Sequence, residues 1–285
     1  MASGLGPVTT GAALQEGADL LRGVTDEARL EAELLLAYAL GLPRAALLTH
    51  PERPISAEQQ RAYQALLTRR IAHYPLPYLL RRVEFCGLEF VVTPDVLIPR
   101  PETEMLVELA LRYPAMTALD VGTGSGCIAV SLAVRNPALS LVATDLSIAA
   151  LRLAMVNARR NGVGHRVRWV CGDLTRPLRG PVDLVVANLP YVAQDEWATL
   201  PPSVREHEPR LALDGGLDGL GLVRRLLSDA PRLLRPGGAL LLEIGATQGR
   251  RAVALARSLC AGARVALHLD LAGRDRVVVV EFGEG

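Results

Sequence analysis

Four short segments carry side chains suited to hold a small molecule and act on it. Leu119-Asp120-Val121-Gly122-Thr123-Gly124-Ser125-Gly126 closes an apolar run with clustered glycines, which permit a tight turn and let a ligand approach the backbone. Thr144-Asp145 ends a second run and Gly172-Asp173-Leu174 a third. A carboxylate at a strand end can accept hydrogen bonds from a ribose diol or an exocyclic amine, each contributing about 1.5–3 kcal/mol. The fourth run ends in Asn188-Leu189-Pro190-Tyr191. Its asparagine carbonyl and a nearby backbone carbonyl can accept both N–H bonds of a planar amine or amide. Such a nitrogen is a poor nucleophile because its lone pair is delocalised. Holding it in line with an electrophilic carbon at about 3–3.5 Å is the chemistry this turn can supply. Pro190 stiffens the backbone, and the Tyr191 ring can stack on a flat group or wall the site.

Each segment has a plainer reading. The glycines also suit a strand-to-helix turn, Asp145 or Ser147 a helix cap, Asp173 a turn, and Asn188-Leu189-Pro190 an ordinary Asn-Pro-type turn. In combination they favour one cofactor-shaped site. The dinucleotide fingerprint Gly-x-Gly-x-x-Gly would need glycine at position 127, where the chain has Cys127. With the third glycine one residue early, the spacing resembles the loop that holds S-adenosylmethionine, which has no pyrophosphate to cradle. In that frame Asp145 faces the ribose, Asp173 reaches the adenine amino group, and the reacting methyl lies near Asn188.

The elements that position these residues are legible in the periodicity. Strand-like runs near 117–121, 140–145, 167–171, 182–187, 239–244, 264–269 and 276–282 alternate with helical patterns at about 102–112, 127–135, 147–161 and 218–234. The alternation implies an α/β fold, a mostly parallel sheet with helices on both faces. The last two runs are too close in sequence for a parallel crossover and are expected to pair antiparallel. From about Thr10 to Ala72 the apolar positions recur at helical steps, with Ser56 and Gln59 spaced as a capping box. Residues 83–92 read as a hairpin turning at Gly87 that joins the two regions.

Composition narrows the class. The chain has 285 residues, 50% hydrophobic and 21% charged, with 31 basic and 30 acidic residues and a net charge of +1. That excludes a disordered chain and argues against a protein that coats nucleic acid through a strong overall field. Every basic residue is an arginine. Cys86, Cys127, Cys171 and Cys260 are too scattered for a zinc or redox pair and read as core residues in a reducing compartment. No apolar stretch approaches the ~20 residues of a membrane helix. A cytoplasmic protein is expected, with a monomer favoured and no metal.

The surrounding residues carry a closer likeness. Asn188-Leu189-Pro190-Tyr191 resembles the Asn-Pro-Pro-Tyr motif of methyltransferases acting on amino groups of adenine, cytosine and glutamine. Pro77-Tyr78-Leu79-Leu80, Glu84 to Phe90, Val96 to Glu104 with its Pro-Arg-Pro-Glu-Thr stretch, Asn157-Ala158, Glu208-Pro209 and Leu213 to Gly216 resemble the PrmC/HemK family, the release-factor glutamine methyltransferases. The resemblance implies a class I S-adenosylmethionine-dependent methyltransferase fold, Rossmann-like with a mostly parallel seven-stranded sheet. It further implies a small N-terminal helical domain over 1–75, a linker with the hairpin over 76–95 and a methyltransferase domain over 96–285. The implied activity is methyl transfer from S-adenosylmethionine, leaving S-adenosylhomocysteine, to the glutamine N5 of the Gly-Gly-Gln tip of peptide chain release factors. By that likeness Gly122, Thr123, Gly124, Ser125, Gly126, Asp145, Asp173, Leu174 and Asn188 hold the cofactor, while Asn188, Leu189, Pro190 and Tyr191 grip the substrate amide.

The sequence departs from the pattern at Leu189, where the family has proline, and at Arg81, where it usually has glycine. Leu174 stands where some members carry an aromatic beside the adenine. Two rivals remain open at this level. One is a nucleic-acid amino methyltransferase, which needs a phosphate-tracking surface. The other is a cofactor-binding module without turnover, supported by Leu189 alone.

Overall fold

The computed structural model describes residues 8–178 and 180–283. They divide into two compact units: one runs up to Arg81 and adds Pro201–His207, the other comprises Arg82–Leu200 and the residues from Glu208 onward. The first unit is built on helices α1 (Thr10–Leu21), α2 (Ala28–Leu40), α3 (Arg44–Thr49), α4 (Ala57–Ile71) and α5 (Leu76–Leu80). Leu14, Leu21, Leu35, Leu36, Leu47 and Tyr63 form its core. The capping box opens α4 as the spacing predicts: Gln59 N donates to Ser56 Oγ at 3.1 Å and Ser56 N to Gln59 Oε1 at 2.9 Å. Across this core Arg70 holds Glu31 through two bonds, at 2.5 and 3.1 Å, both side chains buried. Burying an unpaired charge would be costly, so the fork geometry is what makes the pair tolerable.

In the second unit the chain runs through β1 (Arg82–Phe85), β2 (Leu88–Val91), α6 (Glu104–Ala110), β3 (Thr117–Val121), α7 (Cys127–Arg135), β4 (Ser140–Asp145), α8 (Ile148–Arg160), β5 (Val167–Cys171) and β6 (Val182–Asn188). After α9 (Pro202–Arg205), which belongs to the first unit, come α10 (Gly221–Leu233), β7 (Leu234–Glu243), α11 (Gly249–Leu259), β8 (Arg264–Leu269) and β9 (Asp275–Glu281). The seven-stranded sheet has the order β5-β4-β3-β6-β7-β9-β8. Its first five strands are parallel, and β9 runs antiparallel to both neighbours, as the short final connection requires. Leu184, Val186, Ala239 and Leu241 face the core shared with α6 and α7; Val185, Ala187, Leu240 and Leu242 face the core shared with α10 and α11.

The structure adds to the sequence reading at the hairpin and at α11, and corrects it at Cys171. Phe85 and Phe90 of the hairpin bury in the α6–α7 core, and the hairpin belongs to the second unit, which begins at Arg82. Asn157 ties it further, accepting from Val91 N at 2.8 Å and donating to Val91 O and Ser125 O at 3.0 and 2.9 Å. Helix α11 was not among the expected helices because its buried contacts are small residues, Ala252 and Ala256, spaced among arginines. Cys171 is exposed, unlike Cys86, Cys127 and Cys260.

The Arg81 departure has a backbone consequence. Arg81 caps α5 in the left-handed region, φ +56°, with an exposed side chain. A side chain there costs about 1–2 kcal/mol, which glycine avoids at an entropic cost of roughly 0.5–1 kcal/mol. Arg81→Gly is therefore expected to raise stability by about 0.5 kcal/mol in urea unfolding, whereas Arg81→Ala, still strained, yields no gain.

Candidate active site

The predicted residues meet because the parallel strands end level. Val121 pairs with Thr144 on one side and Ala187 on the other. The next residue of each strand is Gly122, Asp145 and Asn188, and Asn188 pairs in turn with Glu243. They open onto a cavity of about 770 Å³, within the range of small-molecule sites. Gly122, Thr123, Gly124, Ser125, Asp145, Asp173, Leu174, Asn188, Leu189 and Pro190 all line it.

The glycine loop is held from beneath. Asp120 is fully buried, and its Oδ2 accepts from Thr123 Oγ1 at 2.6 Å and Ala129 N at 3.2 Å. It does not line the cavity, so its work is to shape the loop and the start of α7. Burial pushes its carboxyl up to about 7 against the pull of those two bonds, and among the described residues Oδ1 has no partner. Gly122, Gly124 and Gly126 adopt φ of +77°, +53° and +82°. A Cβ at Gly126 would stand 2.9 Å from Ala154 Cβ, whereas one at Gly124 would meet nothing within 4 Å.

Ser147 caps α8, accepting from Ala150 N at 3.2 Å, which releases Asp145 from that alternative. Asp145 instead accepts from Gly124 N and Ser147 N, each at 2.8 Å, one on each oxygen. Burial raises its pKa, while the backbone bonds oppose the shift. Asp145 lines the cavity, and a carboxylate oxygen that accepts one bond has a further lone pair to offer a diol. Asp173 is more encumbered: Arg225 and Arg176 both bond its Oδ2, at 2.6 and 3.3 Å. Leu174 sits at φ +51°, a strained conformation for a leucine that turns this stretch into the cavity wall.

The Asn188 turn is built differently from its sequence reading in one respect. Asn188 Nδ2 donates to Thr103 Oγ1 at 3.1 Å, leaving Oδ1 as its free acceptor. Leu189 packs under the glycine loop at 2% exposure, its Cδ2 3.1 Å from where a Gly122 Cβ would be. Tyr191 does not line the cavity. Its ring lies against Gly245, its carbonyl accepts from Gln248 Nε2 at 2.7 Å, and burial with the nearby Glu243 pushes its hydroxyl up to about 12. It anchors the turn rather than walling the site.

The Pro-Arg-Pro-Glu-Thr stretch explains itself in three dimensions. Glu208 accepts from Ile98 N at 3.1 Å and pairs with Arg100. Cys86 N donates to Glu104 Oε1 at 2.6 Å. Between these anchors Thr103 reaches Asn188. Thr103 and Glu243 escaped the sequence reading as site residues; the signal for Glu243 was an acid closing an apolar strand, as with Asp145.

A half-buried carboxylate at the cavity wall, open space above Gly124 and an apolar wall at Leu174 fit the ribose, methionine and adenine parts of S-adenosylmethionine. Comparison with known proteins agrees. The family model described as the PrmC N-terminal domain matches residues 12–80, and that described as the methyltransferase small domain matches 101–266. The chain is 47% identical to release factor glutamine methyltransferases of Cereibacter sphaeroides and Moorella thermoacetica, over 89% and 90% of this chain and 91% and 92% of theirs. Its fold is similar to a crystal structure of a methyltransferase from Pyrococcus furiosus, with a TM-score of 0.54 at 20% identity over 69% of this chain and 90% of that one.

Two measurements check this site. Gly126→Ala combines left-handed strain with a clash and is expected to cost about 2–4 kcal/mol, roughly 5–10 °C in melting temperature; Gly124→Ala is expected to lower melting far less while weakening S-adenosylmethionine binding in calorimetry. Asp120 sets a pH dependence of stability. Its folded pKa, about 7, lies above the ordinary 3.8, so its contribution is full below the unfolded value and is lost as pH rises through about 7. The ligand-free protein is expected to melt higher at pH 6 than at pH 8, and Asp120→Asn to shrink that difference.

Proposed function

Because the chain belongs to the release factor glutamine methyltransferase family, we propose that the Asn188–Tyr191 turn grips the glutamine side chain of the Gly-Gly-Gln motif of peptide chain release factors and presents its nitrogen for methylation. The enzyme is an S-adenosylmethionine-dependent protein-(glutamine-N5) methyltransferase. The cofactor, when bound, supplies a methyl group activated by its sulfonium centre. The protein's own residues do the rest. Gly122 to Gly126, Asp145, Asp173 and Leu174 bind and orient the cofactor from the ends of β3, β4 and β5. Asn188 Oδ1 accepts one N–H of the substrate amide and the Leu189 carbonyl accepts the other. With both N–H bonds committed, the amide plane is fixed and the lone pair is biased outward. The substrate nitrogen would gain the N–C bond as the methyl's bond to sulfur breaks, with S-adenosylhomocysteine as the leaving group, and one N–H proton would leave to water.

The observation that supports this reading is the Asn188 Nδ2–Thr103 Oγ1 bond, which leaves Oδ1 available to an amide N–H. The Leu189 departure does not weaken it, since leucine offers the same backbone carbonyl. The reaction belongs in the cytoplasm, where release factors act. A net charge of +1 offers no support for a nucleic-acid substrate.

Asn188→Ala is expected to lower the rate of methyl transfer by roughly 10²-fold or more while leaving S-adenosylmethionine affinity within about twofold. Labelled cofactor incubated with a release factor, with the modified residue mapped by mass spectrometry, is expected to place the methyl on the Gly-Gly-Gln glutamine. Label on duplex DNA instead, or full activity in Asn188→Ala, would overturn the assignment.

A further inference from the structure

An asparagine side chain has two ends of nearly equal size, one a donor and one an acceptor. For an amide substrate the difference is decisive. With Oδ1 toward the cavity Asn188 accepts from the substrate nitrogen, and with Nδ2 there two donors face each other and neither is satisfied. Thr103 alone cannot enforce the choice, because a hydroxyl serves an amide equally as donor or acceptor.

The residue that can enforce it lies one strand away. Glu243 pairs with Asn188 in the β6–β7 ladder, and by strand alternation both side chains lie on the α6 face, the side occupied by Val186 and Leu241. Glu243 is 1% exposed, and among the described residues no hydrogen bond of good geometry closes on either of its oxygens. Among the side chains that act on it, the Thr103 hydroxyl, bonded to Asn188 at 3.1 Å, is the hydrogen-bonding group and lowers its pKa. An ionised carboxylate can only accept. We infer that Glu243, acting through Thr103, fixes which end of the Asn188 amide faces the cavity and is a positioning residue for recognition of the substrate amide. The Thr103 proton turns to Glu243, its lone pair receives Asn188 Nδ2, and Oδ1 is left for the substrate. The inference rests on the assignment of Asn188 as the amide grip.

The charges around Glu243 come from three elements. Arg276 on β9, itself held by Asp270 at 3.1 Å, and Arg100 ahead of α6 favour its ionised form, whereas Glu102 opposes it. The Tyr191 hydroxyl beyond β6 is the remaining neighbour. Burial outweighs the arginines and raises the carboxyl to about 7. As pH falls through that value Glu243 gains a proton and can donate to Thr103, and the orientation loosens.

The test uses the full-length enzyme with S-adenosylmethionine and a release factor. Glu243→Gln and Thr103→Val are each expected to lower kcat about 10- to 100-fold with KM for S-adenosylmethionine within about twofold, and Thr103→Ser to recover to within about threefold of the parent. In an Asn188→Ala background neither substitution is expected to lower the residual rate further, because the three act as a unit. A readout independent of turnover is the Asn188 side-chain amide resonance in selectively ¹⁵N-labelled enzyme. It is expected to titrate with a midpoint near 7, the value for Glu243, and to lose that titration in Glu243→Gln. Parent-like kcat in Thr103→Val, or an undiminished further loss in the Asn188→Ala background, would overturn the inference while leaving the amide grip standing. Full activity of Asn188→Ala itself would overturn both. Should Glu243→Gln fail to fold, the Asn188 amide titration in Thr103→Val decides, since a midpoint near 7 that survives loss of the hydroxyl would overturn the inference.

Discussion

The site depends on the register of the parallel strands. A strand exposes alternate residues to alternate faces, so a slip of one residue would turn Asn188 and Glu243 into the α10–α11 core and bring Ala187 and Leu242 to the α6 side. The register is fixed from the far end. Asp183, at the start of β6, accepts from Met116 N, Thr117 N and Thr117 Oγ1 at 3.0, 2.8 and 2.9 Å. Those bonds set β6 against β3 before either strand reaches the cavity. The apolar runs then need only be equal in length for Gly122, Asp145 and Asn188 to arrive at one edge.

At that edge the chain accepts local costs in return for a preformed site. Asp120 is buried with one oxygen unpartnered, three glycines take left-handed conformations and Leu174 is forced into one. Each is a place where stability alone would favour something else. The Gly124 N–H bond to Asp145 couples the two halves of the cofactor site. The loop cannot relax without freeing the carboxylate, and the carboxylate cannot turn without releasing the loop. A site preorganised in this way needs little rearrangement when its ligand arrives.

Much of this was legible in the residues, for physical reasons that also mark the limit. Strands β3, β4, β5 and β8 fall where the apolar runs do, because runs of five or six residues are too short for a helix of ordinary length. The glycine loop and the strand-end acids were readable because their neighbours in space are also neighbours in sequence or one βα unit away. What escaped depends on long-range contact. Tyr191 reads as a wall of the pocket, yet Gln248 and Gly245, more than fifty residues on, draw it inward. Thr103 gains its meaning from a residue 85 positions away. The assignment of Pro201–His207 to the first unit rests on contacts such as the 5.0 Å approach of the His207 and Tyr74 rings, which no local pattern announces.

The Leu189 substitution shows how such contacts decide whether a departure from a motif matters. A proline there would contribute a fixed φ. In this chain the turn is restrained from outside: Gln248 holds the Tyr191 carbonyl, Val192 N donates to Leu213 O at 2.9 Å, and Gly215 N returns a bond to Val192 O at 2.9 Å. With the far side of the turn tied down in this way and Asn188 held in the β6–β7 ladder, the backbone has little freedom for a proline to remove. Leucine supplies something proline would supply less of, a long apolar side chain packed beneath Gly122. The loop that holds the cofactor thus rests on the turn that grips the substrate, so a change at position 189 acts on the packing between the two subsites before it acts on the chemistry. The reading of the chain as a binding module without turnover rested on this residue alone, and the packing removes its support.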